Sequence, residues 1–417
     1  MTTSLSLSFT FLSVFLIFAV IGIWFLFSKK TINLKTDMRI FAIFTSIVAI
    51  YVSSAFVRLE LFASVGIIIL GSIGLAILTQ KIFEQNKQYF TKIIFPAVII
   101  ILFIIPITIP EDNTWLSWAD FPPSILNGGS SFTNFASDDW KDATLWIKQN
   151  TSEDAVIASW WDYGYWITTL SERTTLADNA TLIDWQINKL AYALITSPDN
   201  SWNILSSSYT EDISSYLGND NVLEFGGELE VEFNKNYLEK YSVPCEQIFK
   251  MDAQRLGDGT LEESCNPITK GMDADYFLIY LAGERLYTEG IEIPFYTLEG
   301  GGDESKKTWF TKISNHQMSK FIESDNITPT KFYMENTTLG MLTPFTIFKY
   351  VEPGTGRTFD TFQNGLIPVY VNDLKFKDPE NDPFYLVYAS PSFYSQEPGV
   401  MSMVLIYKIN PDYNPQN

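Results

Sequence analysis

The chain has 417 residues, 46% of them hydrophobic, with 48 Asp and Glu against 28 Lys and Arg, a net charge of −20. That balance excludes a nucleic-acid binder, because phosphate recognition needs an excess of Lys and Arg. A single histidine, His316, excludes a His-rich metal site and argues against a histidine-based triad, and the acidic excess reads as a solvated face. Apolar residues crowd the first quarter in four runs, 9–27, 40–57, 62–79 and 93–109. Each approaches the roughly 20 residues that carry a helix across a bilayer, so four spanning helices are expected within 1–110. No basic residue precedes the first run, which therefore does not read as a signal peptide.

Loop charge sets the expected orientation. Lys29, Lys30, Lys35 and Arg39 follow the first run, and Lys81, Lys87 and Lys92 follow the third. Positive residues stay on the cytoplasmic side, which places the N-terminus, the turn near Arg58 and everything after Pro110 outside. An outside N-terminus without a leader points to membrane segments upstream of this sequence. Residues 111–137, rich in Pro, Gly, Ser and Asn, read as a linker. Asp138 and Asp139 open a helix carrying Trp140, Ala143, Leu145 and Trp146, with acids at its positive end. A buried strand is expected at 155–158, a helix at 165–170, and further strands at 174–177 and 276–281. From Pro344 the pattern turns β-rich: 345–351, 366–371, 384–389 and 401–409 are separated by Pro, Gly and Asp turns. The expected architecture is an α-helical multi-pass membrane region, then an external mixed α/β domain over 138–340, then a β-rich module over 341–417.

The run Trp160-Trp161-Asp162-Tyr163-Gly164 follows the first external strand. In α/β units that end of a strand is where sites lie. Two donor-only indoles beside an acceptor-only carboxylate can surround a small hydroxyl; the plainer reading is core packing followed by a turn. A second constellation, Gly300-Gly301-Gly302-Asp303-Glu304-Ser305-Lys306, combines a sharp reversal with a candidate N-cap at Asp303 and an amphipathic helix to about residue 322. Asp303, Lys306 and Phe310 are spaced to share one helix face. Cys245 and Cys265 are read either as a disulfide closing their loop or as two free thiols. Sequons stand at Asn150, Asn179, Asn326 and Asn336.

The Trp-Trp-Asp-Tyr-Gly run resembles the signature of the catalytic subunit of oligosaccharyltransferase, the membrane enzyme that glycosylates Asn in Asn-X-Ser/Thr. Asp303, Lys306 and Trp309 are similar to the Asp-X-X-Lys pattern of its archaeal and eukaryotic forms. Phe310 stands where Met or Ile is usual, and Ile313 can supply an aliphatic group one turn on. Asp178-Asn179 with Thr181, and Val57-Arg58-Leu59, resemble further elements of the family. An archaeal form is favoured by the acidic balance and compact length.

The resemblance implies transfer of a glycan from a dolichyl or polyprenyl (di)phosphate to acceptor polypeptides. It implies that Trp160, Trp161 and Asp162 bind the Ser/Thr hydroxyl, with Asp303, Lys306 and Phe310 lining the same pocket and Phe310 touching a Thr methyl. Arg58 would grip the lipid diphosphate, although snorkelling to the headgroups explains it without a ligand. The catalytic carboxylates and the ligands of a divalent Mn2+ or Mg2+ are expected upstream, with an N-terminal half as a separate chain among the expected partners; no metal ligand is assigned here. Two other readings stand beside this one: a membrane-anchored surface protein that binds peptides or glycans without transferase activity, and another polyprenyl-sugar glycosyltransferase.

Overall fold

The computed structural model describes residues 12, 14–28, 35–55, 60–85, 89–108, 116, 119–132, 134–180, 184–207, 271–287, 294–314 and 316–415. Arg58, Cys245 and Cys265 lie outside them. The chain divides into two compact units, 1–121 and 122–417.

The first unit holds α1 (Val14–Phe27), α2 (Thr36–Ala55), α3 (Glu60–Gln85) and α4 (Tyr89–Thr108). Three of these are long and apolar enough to cross a membrane, over Thr36–Ser54, Leu61–Glu84 and Tyr89–Thr108; α1 is described over 14 residues. This is a membrane protein. The interhelical packing depends on glycine. A Cβ on Gly22 would stand 2.0 Å from the Leu70 carbonyl oxygen, and one on Gly74 would stand 2.1 Å from that of Phe18. Helices in lipid gain no hydrophobic drive toward each other, so close backbone approach at small residues carries their association. Ser46 Oγ donates to the Gly66 carbonyl at 3.1 Å and ties α2 to α3.

The second unit is built on one nine-stranded sheet. Helix α5 (Asp139–Asn150) has Asp139 and Asp142 in its first turn and Lys148 in its last, as the helix dipole favours. Its inward face is Trp140, Ala143 and Ile147, each at most 1% exposed. Strand β1 (Val156–Ala158) follows, wholly buried, parallel to both β2 (Thr174–Thr175) and β3 (Tyr276–Leu286). Near its other end β3 pairs antiparallel with β4 (Phe295–Thr297), which leads through β7 (Ile367–Asn372) and β5 (Phe345–Val351) to β6 (Thr358–Phe359). Along its opposite edge β3 pairs with β9 (Gly399–Ile409) from Tyr276↔Lys408 to Arg285↔Gly399, and β8 (Phe384–Ala389) lies beyond.

That pairing corrects the expected division at 340/341. The C-terminal strands lie where the sequence pattern put them, but β9 completes the sheet begun by β1 and β3, so 122–417 is one body. Two helices that the pattern did not mark, α6 (Asp184–Ile195) and α7 (Pro198–Ser206), also pack on the core. The second carried a readable start: Ser197 accepts from Asn200 N, with Pro198 at the first helical position. The helix expected to run to 322 is broken into α8 (Lys307–Ile313) and a turn at Met318–Phe321.

Because the α1–α3 contact is backbone against backbone, Gly74→Val should force the helices apart. The expected result is a drop in the thermal midpoint of the full chain in detergent, from an overpacking cost of about 1–3 kcal/mol. Ile100→Val on the exposed face of α4 should leave the midpoint unchanged; equal midpoints for both variants would refute the contact.

Candidate functional site

The Trp-Trp-Asp run leaves β1 and turns at once. Trp161–Tyr163 form a 3-10 turn, Gly164–Trp166 one α-turn, and Ile167–Ser171 a π-helical stretch. Wider π turns cluster at functional sites because they redirect side chains without ending the helix. Gly164 is required by space: a Cβ there would come within 2.4 Å of the Ala177 carbonyl oxygen and 2.5 Å of Asp178 Cα. Asn179 fastens the same turn, donating from Nδ2 to the Asp162 carbonyl at 2.9 Å and accepting from Tyr165 N at 3.2 Å. The Asn179 amide is therefore engaged in holding the turn. The side chains of Asn326 and Asn336 are exposed, and that of Asn150 donates to the Trp146 carbonyl.

The glycine run brings the second constellation to the same place. Gly301 and Gly302 take φ of 102° and 82°, a region closed to most side chains. Gly302 bridges to Leu281 on β3, where a Cβ would meet the Tyr280 carbonyl oxygen at 2.5 Å. This close approach delivers Asp303 against the strand. Asp303 was expected to cap a helix; instead it lies within the short turn Gly302–Ser305, and its carboxylate is used elsewhere. Oδ2 accepts from Tyr280 N at 2.8 Å and Oδ1 accepts from the Tyr163 hydroxyl at 2.8 Å. Lys306 Nζ donates to the Tyr163 hydroxyl at 2.9 Å and meets Asp162 Oδ2 at 2.8 Å, with Asp303 Oδ1 3.8 Å away. Residues 140 positions apart thus form one network.

The six residues singled out in the sequence fall into two tiers. Trp161 is half-buried, and Asp162 and Lys306 keep about a quarter of their side chains exposed, 26% and 24%. Trp160 is 5% exposed, Asp303 1% and Phe310 0%. Phe310, expected to touch a ligand methyl, instead meets Trp160 edge to face at 4.6 Å and supports it from within. The helix-face argument placed it with Lys306, but the chain bends at Lys306 (φ −92°, ψ 0°), so Phe310 turns into the core. Tyr163 joins the network through its hydroxyl. Its ring lies among Trp140, Tyr280 and Trp166 at 4.7, 5.8 and 6.4 Å. The aromatic density around 140–166 was the available signal for that role.

Burial sets the electrostatics. Removal from water pushes the Asp303 carboxyl up to about 6, against the pull of Lys306 and its two hydrogen bonds. The Tyr163 hydroxyl is raised well above its usual range by burial and by the Asp303 and Asp162 charges, so it stays protonated and can donate. Among the described residues no group of three or more His, Cys, Asp or Glu side chains could hold a metal ion. On the far side of the turn, Glu304 and Lys307 form a buried pair at 2.6 Å beside a cavity of about 280 Å3.

Residues 152–255 match the STT3/PglB/AglB core domain. The dolichyl-diphosphooligosaccharide–protein glycosyltransferase subunit STT3B of Arabidopsis thaliana is 26% identical over 217 residues, 45% of this chain and 29% of the relative. Over these regions the chain is similar to STT3 subunits of dolichyl-diphosphooligosaccharide–protein glycosyltransferase. The STT3B subunit of Oryza sativa subsp. japonica is 39% identical over 101 residues, 22% of this chain and 14% of that one. A crystal structure of the Archaeoglobus fulgidus oligosaccharyltransferase tethered with an acceptor peptide aligns over 94% of this chain and 39% of that chain, at 12% identity and TM-score 0.39. The matched regions span under a third of the curated relatives' length.

The Asp303 carboxyl has its own consequence for stability. Its pKa is raised on folding from 3.8 to about 6, so the native state binds the proton more tightly than the unfolded one. The resulting stabilisation is full below about pH 4 and is lost as pH rises through about 6, a span of roughly 3 kcal/mol at 1.36 kcal/mol per unit. Asp303→Asn should flatten the thermal midpoint against pH between 4 and 6; an unaltered slope would remove Asp303 as its source.

Proposed function

We propose that this chain acts in protein N-glycosylation and reads the Ser or Thr hydroxyl of Asn-X-Ser/Thr acceptors at the Trp161, Asp162 and Lys306 surface. The observation that carries this reading is the convergence of the two motifs on one partly open ion pair, Asp162–Lys306, backed by buried Asp303 and Tyr163. Asp162 accepts the acceptor hydroxyl proton as a hydrogen bond, and the N–H edges of Trp160 and Trp161 donate to the hydroxyl oxygen. Phe310 fixes the Trp160 indole. A peptide without the hydroxyl leaves these groups unpaired, at about 1–3 kcal/mol for each.

The donor in this reading is a glycan on a dolichyl or polyprenyl (di)phosphate; the names of the relatives carry a dolichyl-diphosphooligosaccharide. Arg58, at the outer end of the second apolar run, pairs with its phosphates. The sheet unit stands on the outer face of the membrane. A divalent metal, Mn2+ or Mg2+, belongs to this reading as a cofactor, with no ligand assigned in this chain. The two site carboxylates do not suit it, because Asp162 is paired with Lys306 and Asp303 with Tyr163, Tyr280 and Lys306. That same commitment favours a second reading, a membrane-anchored binder of peptides or glycans without transferase activity.

Two measurements separate them. Asp162→Ala should weaken binding of a fluorescent Asn-X-Thr peptide by at least tenfold, the equivalent of about 1.4 kcal/mol; unchanged binding sinks the assignment. Glycan transfer to that peptide should then be followed in Mn2+-supplemented membranes with lipid-linked sugar. Transfer supports the enzyme, whereas binding without transfer supports the binder.

A further inference from the structure

The hydrogen-bond inventory of the network leaves one arrangement. Asp303, ionised, only accepts; Lys306 only donates; the Tyr163 hydroxyl has one proton and two lone pairs. That proton goes to Asp303 Oδ1 at 2.8 Å, so the hydroxyl meets Lys306 Nζ, 2.9 Å away, as an acceptor. The direction runs from Lys306 through Tyr163 to Asp303, with a second Lys306 donor reaching Asp162 Oδ2. Asp303 Oδ1 is itself 3.8 Å from the ammonium. The buried carboxylate thus attracts Lys306 directly, while the hydroxyl bonds to both and gives the ammonium a fixed partner beside Asp162.

We propose that Tyr163 is a positioning residue of the acceptor site: its hydroxyl holds the Lys306 ammonium on Asp162 and so fixes the orientation in which Asp162 meets an acceptor hydroxyl. This rests on the sequon reading above and adds to it a residue that need not touch the acceptor. The Tyr163 ring is anchored by Trp140, Tyr280 and Trp166, so the hydroxyl is a fixed point. Without it, Lys306 is drawn the remaining distance to Asp303 and away from Asp162 Oδ2. The groups facing Asp303 are Lys306 on its own turn, Asp162 and Tyr163 on the Trp-Trp-Asp turn, and Tyr280 on β3; Tyr333 lies within range of its charge and Asp139 within range of Tyr280. Protonation of Asp303 removes the charge that orients the Tyr163 hydroxyl, so the arrangement belongs to the pH range above about 6.

The test compares Asn-X-Thr with Asn-X-Val peptides, which differ by the hydroxyl, on the full chain in detergent. Wild type should prefer the Thr peptide, with the preference falling on acidification around pH 6. Tyr163→Phe keeps the ring and should reduce the preference by about tenfold, the loss of one charge-assisted hydrogen bond. It should also move the acid midpoint upward, since the lost hydrogen bond is one that holds the Asp303 carboxyl down. Retention of the full preference and midpoint in Tyr163→Phe overturns the proposal while leaving the sequon reading intact. A wild-type chain that binds both peptides equally overturns the sequon reading, and this proposal with it. If Tyr163→Phe does not fold, the wild-type profile decides: a preference that is flat from pH 8 to pH 5 overturns the proposal.

Discussion

A carboxylate that is 1% exposed, Asp303, holds the candidate site together. Moving an ion of that size out of water costs several kcal/mol. Three groups offset the cost: the Tyr280 amide, the Tyr163 hydroxyl and, further off, the Lys306 ammonium. Each belongs to a different stretch of chain, so the charge is tolerable only when strand β3, the Trp-Trp-Asp turn and the glycine turn are all in place. The buried carboxylate therefore specifies the geometry of the open pair above it. Burial still pushes its carboxyl up to about 6, the direction in which desolvation outweighs these partners.

Two steric conditions make that arrangement possible. Gly164 lets the turn after β1 press against residues 177 and 178, and Gly302 lets the second turn press against Tyr280 and Leu281. In both cases a single methyl group would collide with backbone, which cannot move aside as a flexible side chain can. The aromatic packing then fixes orientation. Trp160 rests on Phe310, and Tyr163 rests on Trp140, so neither the indole nor the phenol is free to choose a rotamer. Fixed groups lose little conformational entropy when a ligand arrives, which is the physical content of a preorganised site.

Much of the secondary structure was legible because hydrophobic periodicity is local. The apolar runs of the membrane region, the 345–351 and 384–389 strands and the helix beginning at Asp139 all follow from it. The α6 and α7 helices were missed because their apolar residues are interleaved with polar ones, although Ser197-Pro198 marked one start. The helix expected to about 322 was overextended, since periodicity reports neither the bend at Lys306 nor the end at Ile313. The 340/341 division failed for a different reason: strand pairing between 276–286 and 399–409 crosses more than a hundred residues, and no local pattern encodes a partner.

The sequence by itself determined the membrane segments, the acidic exterior and the two short runs whose residue types suit hydroxyl recognition, because hydropathy, charge and donor or acceptor character reside in individual side chains. Tertiary structure decided which of those side chains meet, which are open and which are buried. Lys306 reaches Asp162 while Phe310, four positions on, turns inward, and Tyr163 becomes the bridge between the Asp303 carboxylate and the Lys306 ammonium. Those outcomes depend on the approach of β3 to the glycine turn, a contact between distant segments that exists only once the sheet is assembled.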